Sequence, residues 1–145
     1  MTDLLFIAKQ ILKENENAFL TGTLMLRLRG INLGREPKDI DIISGDYAPR
    51  INIPKELNPQ ELGHSSDGSG IKYKIGDILI DVMSGGEKPE IIGGLKLGTV
   101  EELMKHKYNY SKQGNPQSKK HHEDLIKLGF VFPETSEDND PNLPF

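Results

Sequence analysis

The spacing of apolar residues predicts two helices near the start of the chain. Apolar positions recur at helical spacing over residues 3–15, with Asp3 placed to cap the helix N-terminus. A short apolar run over 18–20 follows and ends at Thr21-Gly22-Thr23. The apolar positions after it predict a second helix, and Gly30 closes that helix because glycine readily takes the left-handed conformation that ends helices.

Shorter apolar patterns predict the strands. Residues 40–44 are apolar apart from one aspartate and predict a strand. Residues 71–75 alternate between apolar and polar, and residues 78–83 are apolar apart from Asp81. With the turn sequence Gly76-Asp77 between them, these two runs predict a β-hairpin.

The segment between residue 44 and this hairpin is irregular. Residues 46–70 contain three prolines and a stretch rich in glycine and serine. They predict a short strand near 51–53, a strand or turn near 60–64, and a mobile loop.

Two further helices are predicted in the second half of the chain. Thr99 is placed to cap the first, and residues 118–128 form the second. The order helix, helix, strand, irregular region, hairpin, helix, helix predicts an α+β fold, with a small mixed or antiparallel β-sheet and helices packed on one side. We expect one domain over residues 1–132 and a disordered, acidic, proline-rich tail over 133–145.

Composition narrows the function classes. The 145 residues include no cysteine, which excludes disulfides, thiolate metal ligands and cysteine catalysis. The formal net charge of −4 disfavours a long nucleic acid as partner, although a local basic pocket for one nucleotide is compatible with it. The sequence shows neither a signal-peptide pattern nor an apolar run of about 18 residues, so we expect a cytoplasmic protein without membrane association.

The candidate chemistry centres on aspartates that interrupt apolar strands. In Asp39-Ile40-Asp41-Ile42 the carboxylates project to one face of a strand and the isoleucines to the other. A third aspartate, Asp81, stands between Ile80 and Val82. Like charges held side by side repel unless a positive charge lies between them. A divalent cation with hard oxygen ligands, Mg²⁺ or Mn²⁺, is the simplest such charge, and it commonly recruits substrate phosphates.

Gly22-Thr23 offers a complementary feature for phosphate. At the start of a helix, this pair presents backbone N–H groups, a hydroxyl and the positive end of the helix dipole. A glycine also lets a phosphate approach the main chain without a Cβ atom in the way. Together with the paired carboxylates, these groups are typical of metal-assisted nucleotidyl transfer.

In these motifs the chain resembles the nucleotidyltransferase superfamily that shares its fold with DNA polymerase β. The superfamily pattern is a hydrophobic residue with Gly-[Gly/Ser], then Asp-hydrophobic-[Asp/Glu]-hydrophobic, then a later strand aspartate. The segment Arg35-Glu36-Pro37-Lys38-Asp39-Ile40-Asp41 is most similar to lincosamide-type antibiotic nucleotidyltransferases. The resemblance covers roughly residues 4–129, and residues 97–107 and 119–125 resemble the two helices that follow the core in small members.

The resemblance implies roles for individual residues. Asp39 and Asp41 would ligate two Mg²⁺ or Mn²⁺ ions, and Asp81 would complete the second metal site and act as, or orient, the base. Gly22 and Thr23 would contact the β- and γ-phosphates of ATP or another nucleoside triphosphate. The implied charge partners of the phosphates are Arg35, Lys38 and Lys107.

Two departures from the family pattern leave the acceptor open. Thr23 replaces the usual serine or glycine, and its methyl group narrows the phosphate approach. The chain also has only two short helices after the core, where larger members build the acceptor pocket. Either a homodimer supplies the pocket, or the acceptor is a macromolecule, or activity has been lost.

The sequence therefore predicts a metal-dependent enzyme that moves a nucleoside monophosphate, AMP from ATP, onto a hydroxyl of a small molecule or protein. An antibiotic is the most concrete small-molecule acceptor. One alternative is a toxin–antitoxin component that AMPylates or binds a partner protein, and another is a catalytically degenerate binding or structural module. A metal-dependent phosphohydrolase fits less well, because none of the four histidines lies near 39–41 or 81.

Overall fold

The computed structural model describes residues 2–64, 70–85, 87–112, 114 and 118–130. It divides the chain into two compact units, Met1–Thr99 and Val100–Phe145. The predicted boundary at residue 132 and the predicted tail lie outside the described residues. In chain order, the elements are α1 (Thr2–Glu14), β1 (Phe19–Thr21), α2 (Gly22–Leu28), β2 (Ile40–Ile43), β3 (Gln60–His64), β4 (Gly70–Ile75), β5 (Ile78–Met83), β6 (Glu90–Ile92), β7 (Leu95–Leu97), α3 (Val100–Ser111) and α4 (Ser118–Lys127).

The first unit is built on a mixed β-sheet, which confirms the predicted α+β class. Within the described residues the sheet has seven strands in the order β3-β4-β5-β2-β1-β7-β6. The β1–β7 and β2–β5 pairs are parallel, and the other neighbours are antiparallel. The central strands β5, β2 and β1 are therefore neighbours although they are far apart in the sequence.

The apolar face of the central strands forms the core. Ile40, Ile42, Ile80 and Val82 have no exposed surface. Because alternate residues of a strand point to opposite faces, the aspartates between these residues must project from the other face. Burial of the isoleucines thus fixes the direction of the carboxylates.

Hydrogen bonds at the ends of α1 and α2 hold these helices to the unit. The Lys96 ammonium donates to the carbonyl oxygens of Leu12, Asn15 and Glu16, at 3.3, 2.6 and 2.7 Å, around the C-terminus of α1. Carbonyls at a helix C-terminus lack the amides of a following turn, so the half-buried Lys96 ammonium is a suitable cap there. Burial lowers the pKa of Lys96, and the charge of Glu16 opposes that shift.

Helix α2 ends as the sequence predicted. The amide of Ile31 donates to the Leu26 carbonyl and that of Gly30 to the Arg27 carbonyl, at 2.9 Å each. This is a Schellman motif, with Gly30 in the left-handed region at φ +86°. The Arg29 guanidinium also donates to the Gly98 carbonyl at 3.1 and 2.6 Å, which joins the end of α2 to the chain after β7.

Two local predictions were wrong, and one hairpin was missed. Helix α1 begins at Thr2, so Asp3 lies in its first turn and not at the N-cap. Residues 51–53 form no strand, because the side chain of Asn15 takes both backbone groups of Asn52 in hydrogen bonds of 2.7 Å. The β6–β7 hairpin was not predicted, although Gly93-Gly94 is a typical two-residue hairpin turn.

The other strand predictions were confirmed. Strand β2 lies where the sequence placed it, and β3 covers the segment that was predicted as a strand or turn. Strands β4 and β5 form the predicted hairpin, with Gly76 at φ +60° in the turn. Most of the predicted mobile loop after β3 lies outside the described residues. No helix in the described ranges is long and apolar enough to cross a bilayer.

In the second unit, the described residues form two helices, α3 and α4, that share a buried ion pair. Helices α3 and α4 lie close to their predicted positions. Helix α4 ends in a second Schellman motif, in which the amides of Phe130 and Gly129 bond the carbonyls of Leu125 and Ile126. The ring of Tyr108 lies 5.2 Å from that of Phe130, measured between centroids.

Candidate functional site

Two of the predicted carboxylates are direct neighbours on the sheet. Asp41 of β2 is in register with Asp81 of the parallel strand β5. Adjacent strands lie about 4.8 Å apart, and residues in register share a face, so the two side chains project side by side. On its other flank Asp41 is in register with Thr21 of β1, the residue directly before Gly22. The pairing thus brings three separate motifs of the sequence to one position on the sheet.

Asp39 adds a third carboxylate at the N-terminal end of strand β2. It lies directly before β2 and is exposed. Burial raises the pKa of Asp81, whose side chain is 29% exposed, and the charge of Asp39 raises it further. The charge of Lys72 acts in the opposite direction. Asp39 is therefore close enough to Asp81 for its charge to change the protonation of that carboxyl.

Gly22 lies directly against the carboxylate of Asp41. Its φ of +73° is in the left-handed region, which favours glycine. A Cβ atom at this position would overlap Oδ2 of Asp41 and would lie 2.9 Å from its Cγ. Only glycine therefore fits here, on grounds of both backbone conformation and space. Thr23 follows in the first turn of α2 and is half-buried.

Hydrogen bonds from Arg27 hold the connector, residues 31–38, that leads from α2 to Asp39. The guanidinium of Arg27 donates to the backbone carbonyl of Arg35 at 3.3 Å and to the carboxylate of Glu36 at 3.0 Å. Arg35 itself is half-buried, and Lys38 is exposed. Sequence reasoning did not identify Arg27 as the residue that holds this connector to α2. The predicted contacts of Arg35 and Lys38 with phosphate stay predictions.

Lys107 lies in the helical unit and has a structural partner there. Its ammonium is 2.9 Å from Oδ2 of Asp124, and the two side chains are 7% and 1% exposed. Nδ1 of His121 lies 3.5 Å from the same ammonium, so this histidine belongs to the environment of the ion pair. The predicted contact between Lys107 and phosphate stays a prediction.

Sequence reasoning also missed Lys72. This lysine on β4 is in register with Asp81, and its Nζ lies 3.6 Å from Oδ1 of that aspartate. The signal was present in the sequence, because counting outward from the Gly76-Asp77 turn pairs residue 75 with 78 and therefore 72 with 81. A cation beside the carboxylates could thus be found from the hairpin alone.

The carboxylates suit a divalent metal ion. Asp39, Asp41 and Asp81 offer the hard oxygen ligands that Mg²⁺ and Mn²⁺ prefer. Burial raises the pKa of Asp81 most and the charge of Asp39 adds to this shift. A bound cation would offset both the burial of the charge and the repulsion. In ligand type, the three carboxylates therefore fit the metal that the resemblance implies, and their role as ligands stays a prediction.

Comparison with known proteins supports the fold and leaves the sequence family open. No protein-family model matches the chain, and no curated protein matches it. Several solved structures do match. The solution structure of the antibiotic-resistance factor ANT(2'')-Ia matches with a TM-score of 0.56 and 16% identity, over 88% of this chain and 85% of that one.

Two further matches give the same result. The crystal structure of ANT(2'')-Ia in complex with adenylyl-2''-tobramycin has a TM-score of 0.54 and 16% identity, over 89% of this chain and 91% of that one. JHP933 from Helicobacter pylori has a TM-score of 0.61 and 15% identity, over 90% of this chain and 65% of that one. The protein thus has the nucleotidyltransferase fold, and at these identities the likeness concerns the fold alone.

Proposed function

We propose that the protein is a metal-dependent nucleotidyltransferase that moves AMP from ATP onto a hydroxyl group of a small molecule or protein. The observation that carries this proposal is the register of Asp41 with Asp81, beside a glycine that only fits because it lacks a Cβ atom. Because Gly22 has no Cβ atom, the main chain at the start of α2 lies directly against the Asp41 carboxylate. The proposed phosphate-binding residues and the proposed metal ligands are therefore neighbours.

The reaction requires little covalent chemistry from the protein. The acceptor oxygen attacks the α-phosphorus of ATP, the bond from that phosphorus to the bridging oxygen breaks, and pyrophosphate leaves with the electron pair. When bound, Mg²⁺ ions would offset the triphosphate charge and make the attacking hydroxyl more acidic. Asp39, Asp41 and Asp81 would hold these ions, and Asp81 would accept or direct the hydroxyl proton.

The donor tail is assigned to the other side of Asp41. Gly22 and Thr23 would offer their backbone N–H groups, and Thr23 its hydroxyl, to the β- and γ-phosphates. Arg35 and Lys38 precede Asp39 in the chain and would add positive charge on that flank. The acceptor is the least constrained part of the proposal. The complex of a structural neighbour with an adenylylated antibiotic is compatible with a small-molecule acceptor.

The test is a calorimetric titration with a non-hydrolysable ATP analogue, with and without Mg²⁺. The variants are Asp39→Asn/Asp41→Asn and, as a matched control, Asp77→Asn in the exposed turn between β4 and β5. We expect Mg²⁺-dependent binding in the wild type and in Asp77→Asn, and none in the double variant. If the wild type binds none of the four nucleotides, the result favours a catalytically degenerate module. If the double variant binds as well as the wild type, Asp39 and Asp41 are not the metal ligands.

A further inference from the structure

Lys72 is a positive group that the structure places beside Asp81. It shares a face of the sheet with Asp81 because the two residues are in register across β4 and β5. Its ammonium lies 3.6 Å from Oδ1 of Asp81. The Lys72 side chain is 61% exposed, whereas that of Asp81 is 29% exposed. The ammonium therefore reaches a half-buried carboxylate from the solvent side.

The carboxylates lie close together in the sheet. Asp41 and Asp81 are in register, Asp39 lies directly before β2, and Lys72 is in register with Asp81. The charges of Asp39 and Lys72 both act on the Asp81 carboxyl, in opposite directions. Lys72 thus offsets part of a repulsion that would otherwise act among the aspartates themselves.

We propose that Lys72 is a built-in counter-ion that holds Asp81 in the metal-free protein and lowers the affinity of the three aspartates for a divalent cation when no nucleotide is bound. This inference rests on the proposed function, because it takes the aspartates to be the cation ligands. An ammonium and a divalent ion on the same carboxylate repel each other. The negative charge of a triphosphate offsets that repulsion, so the cation binds together with the nucleotide.

The flexible stem of lysine makes such a role feasible. Lysine carries its charge on a four-carbon chain, and the exposed Lys72 side chain can turn its ammonium toward solvent or toward a phosphate. The pair is also weak enough to be displaced, because ion pairs that solvent reaches contribute little to stability. Lys72 is therefore a positioning residue that acts through Asp81.

The experiment compares Lys72→Met with Lys74→Met. Lys74 lies two residues further along β4, on the same face, and is exposed, but it is opposite Leu79 instead of a carboxylate. Mn²⁺ is titrated into each protein without nucleotide. We expect the Kd for Mn²⁺ to fall about threefold to tenfold in Lys72→Met, and to change less than about twofold in Lys74→Met. With a non-hydrolysable ATP analogue present, the advantage of Lys72→Met should shrink. A Kd in Lys72→Met that is unchanged or higher overturns the proposal.

A second measurement separates this proposal from the proposed function. Urea unfolding of the metal-free proteins is followed at low and at high salt. We expect Lys72→Met to be less stable than Lys74→Met at low salt, with a smaller difference at high salt, where ion pairs are screened. If none of the three proteins binds Mn²⁺, the proposed function fails with its metal site. The counter-ion role then depends on the unfolding comparison, and equal stability of the two variants overturns it.

Discussion

Gly22 can be tested against a glycine that shares its backbone conformation and differs in its surroundings. Gly22 and Gly30 stand at the two ends of α2, with φ values of +73° and +86°. A Cβ atom at Gly22 would overlap the Asp41 carboxylate, whereas a Cβ atom at Gly30 would meet nothing within 4 Å. Gly22→Ala and Gly30→Ala therefore share the strain of a left-handed alanine, and only Gly22→Ala also moves Asp41.

The expected losses of stability follow from the strain of a left-handed alanine and from the displacement of the Asp41 side chain. The left-handed conformation costs an alanine about 1–2 kcal/mol, and both variants lose that amount. In Gly22→Ala the Asp41 side chain must also leave its place, since the new Cβ would lie 2.9 Å from Cγ and 3.0 Å from Cβ of Asp41. Pushing a side chain off its rotamer costs about 0.5–1.5 kcal/mol. We expect Gly22→Ala to lose more stability than Gly30→Ala by that second amount.

The assay has a stability readout and a site readout. Urea unfolding gives the difference in free energy between the two variants. Titration with a non-hydrolysable ATP analogue and Mg²⁺ tests the site, where we expect Gly22→Ala to lose binding and Gly30→Ala to keep it. Equal stabilities together with full Mg²⁺-dependent binding in Gly22→Ala would refute the reasoning that Asp41 and the phosphate site depend on a Cβ-free residue.

Three further predictions concern charges. Asp124→Ala leaves the buried Lys107 ammonium without its carboxylate and should lower the free energy of unfolding by about 3–5 kcal/mol. The control Glu123→Ala, at an exposed position, should lose a negligible amount in the same thermal or urea unfolding experiment. Lys96→Met removes a donor from three carbonyls at the end of α1 and should cost about 1–3 kcal/mol, with the exposed Lys13→Met as control. Burial raises the pKa of Asp81 in the folded protein above its ordinary value of 3.8, so this carboxyl contributes less stability as the pH rises from 3.8 through the folded pKa. Metal-free Asp81→Asn should therefore gain stability relative to the wild type across that pH window. A difference between Asp81→Asn and wild type that does not change with pH would contradict the sign.

Local patterns were enough to predict most elements of the fold. The α1 helix, the β4–β5 hairpin and both ends of α2 follow from periodicity and turn residues that act over a few positions. The strand predicted near 51–53 failed because its backbone groups bond the side chain of Asn15, far away in the sequence. Apolar content at three positions cannot reveal that competition. The β6–β7 hairpin, in contrast, was available from Gly93-Gly94 and was overlooked.

The sequence was enough to propose the residues of the candidate site, but not their arrangement. Asp39, Asp41 and Asp81 stood out because charges interrupt apolar strands, and Gly22 stood out by its position before a helix. The ion pair of Lys107 with Asp124 could not be read from the sequence, since it depends on how α3 packs against α4. The anchoring of the connector by Arg27 likewise depends on side-chain geometry between a helix and a loop.

The alignment of Asp41 with Asp81 carries information that the apolar pattern does not contain. Burial of the neighbouring isoleucines and valine fixes which face each aspartate occupies, because a slip of one residue would exchange the faces. A slip of two residues would keep those faces, yet it would separate the aspartates by about 6.6 Å along the strand. Core packing therefore permits both aligned and offset carboxylates. The sheet adopts the aligned register, in which the two charges repel most, and the cation proposed above would give that register a physical reason.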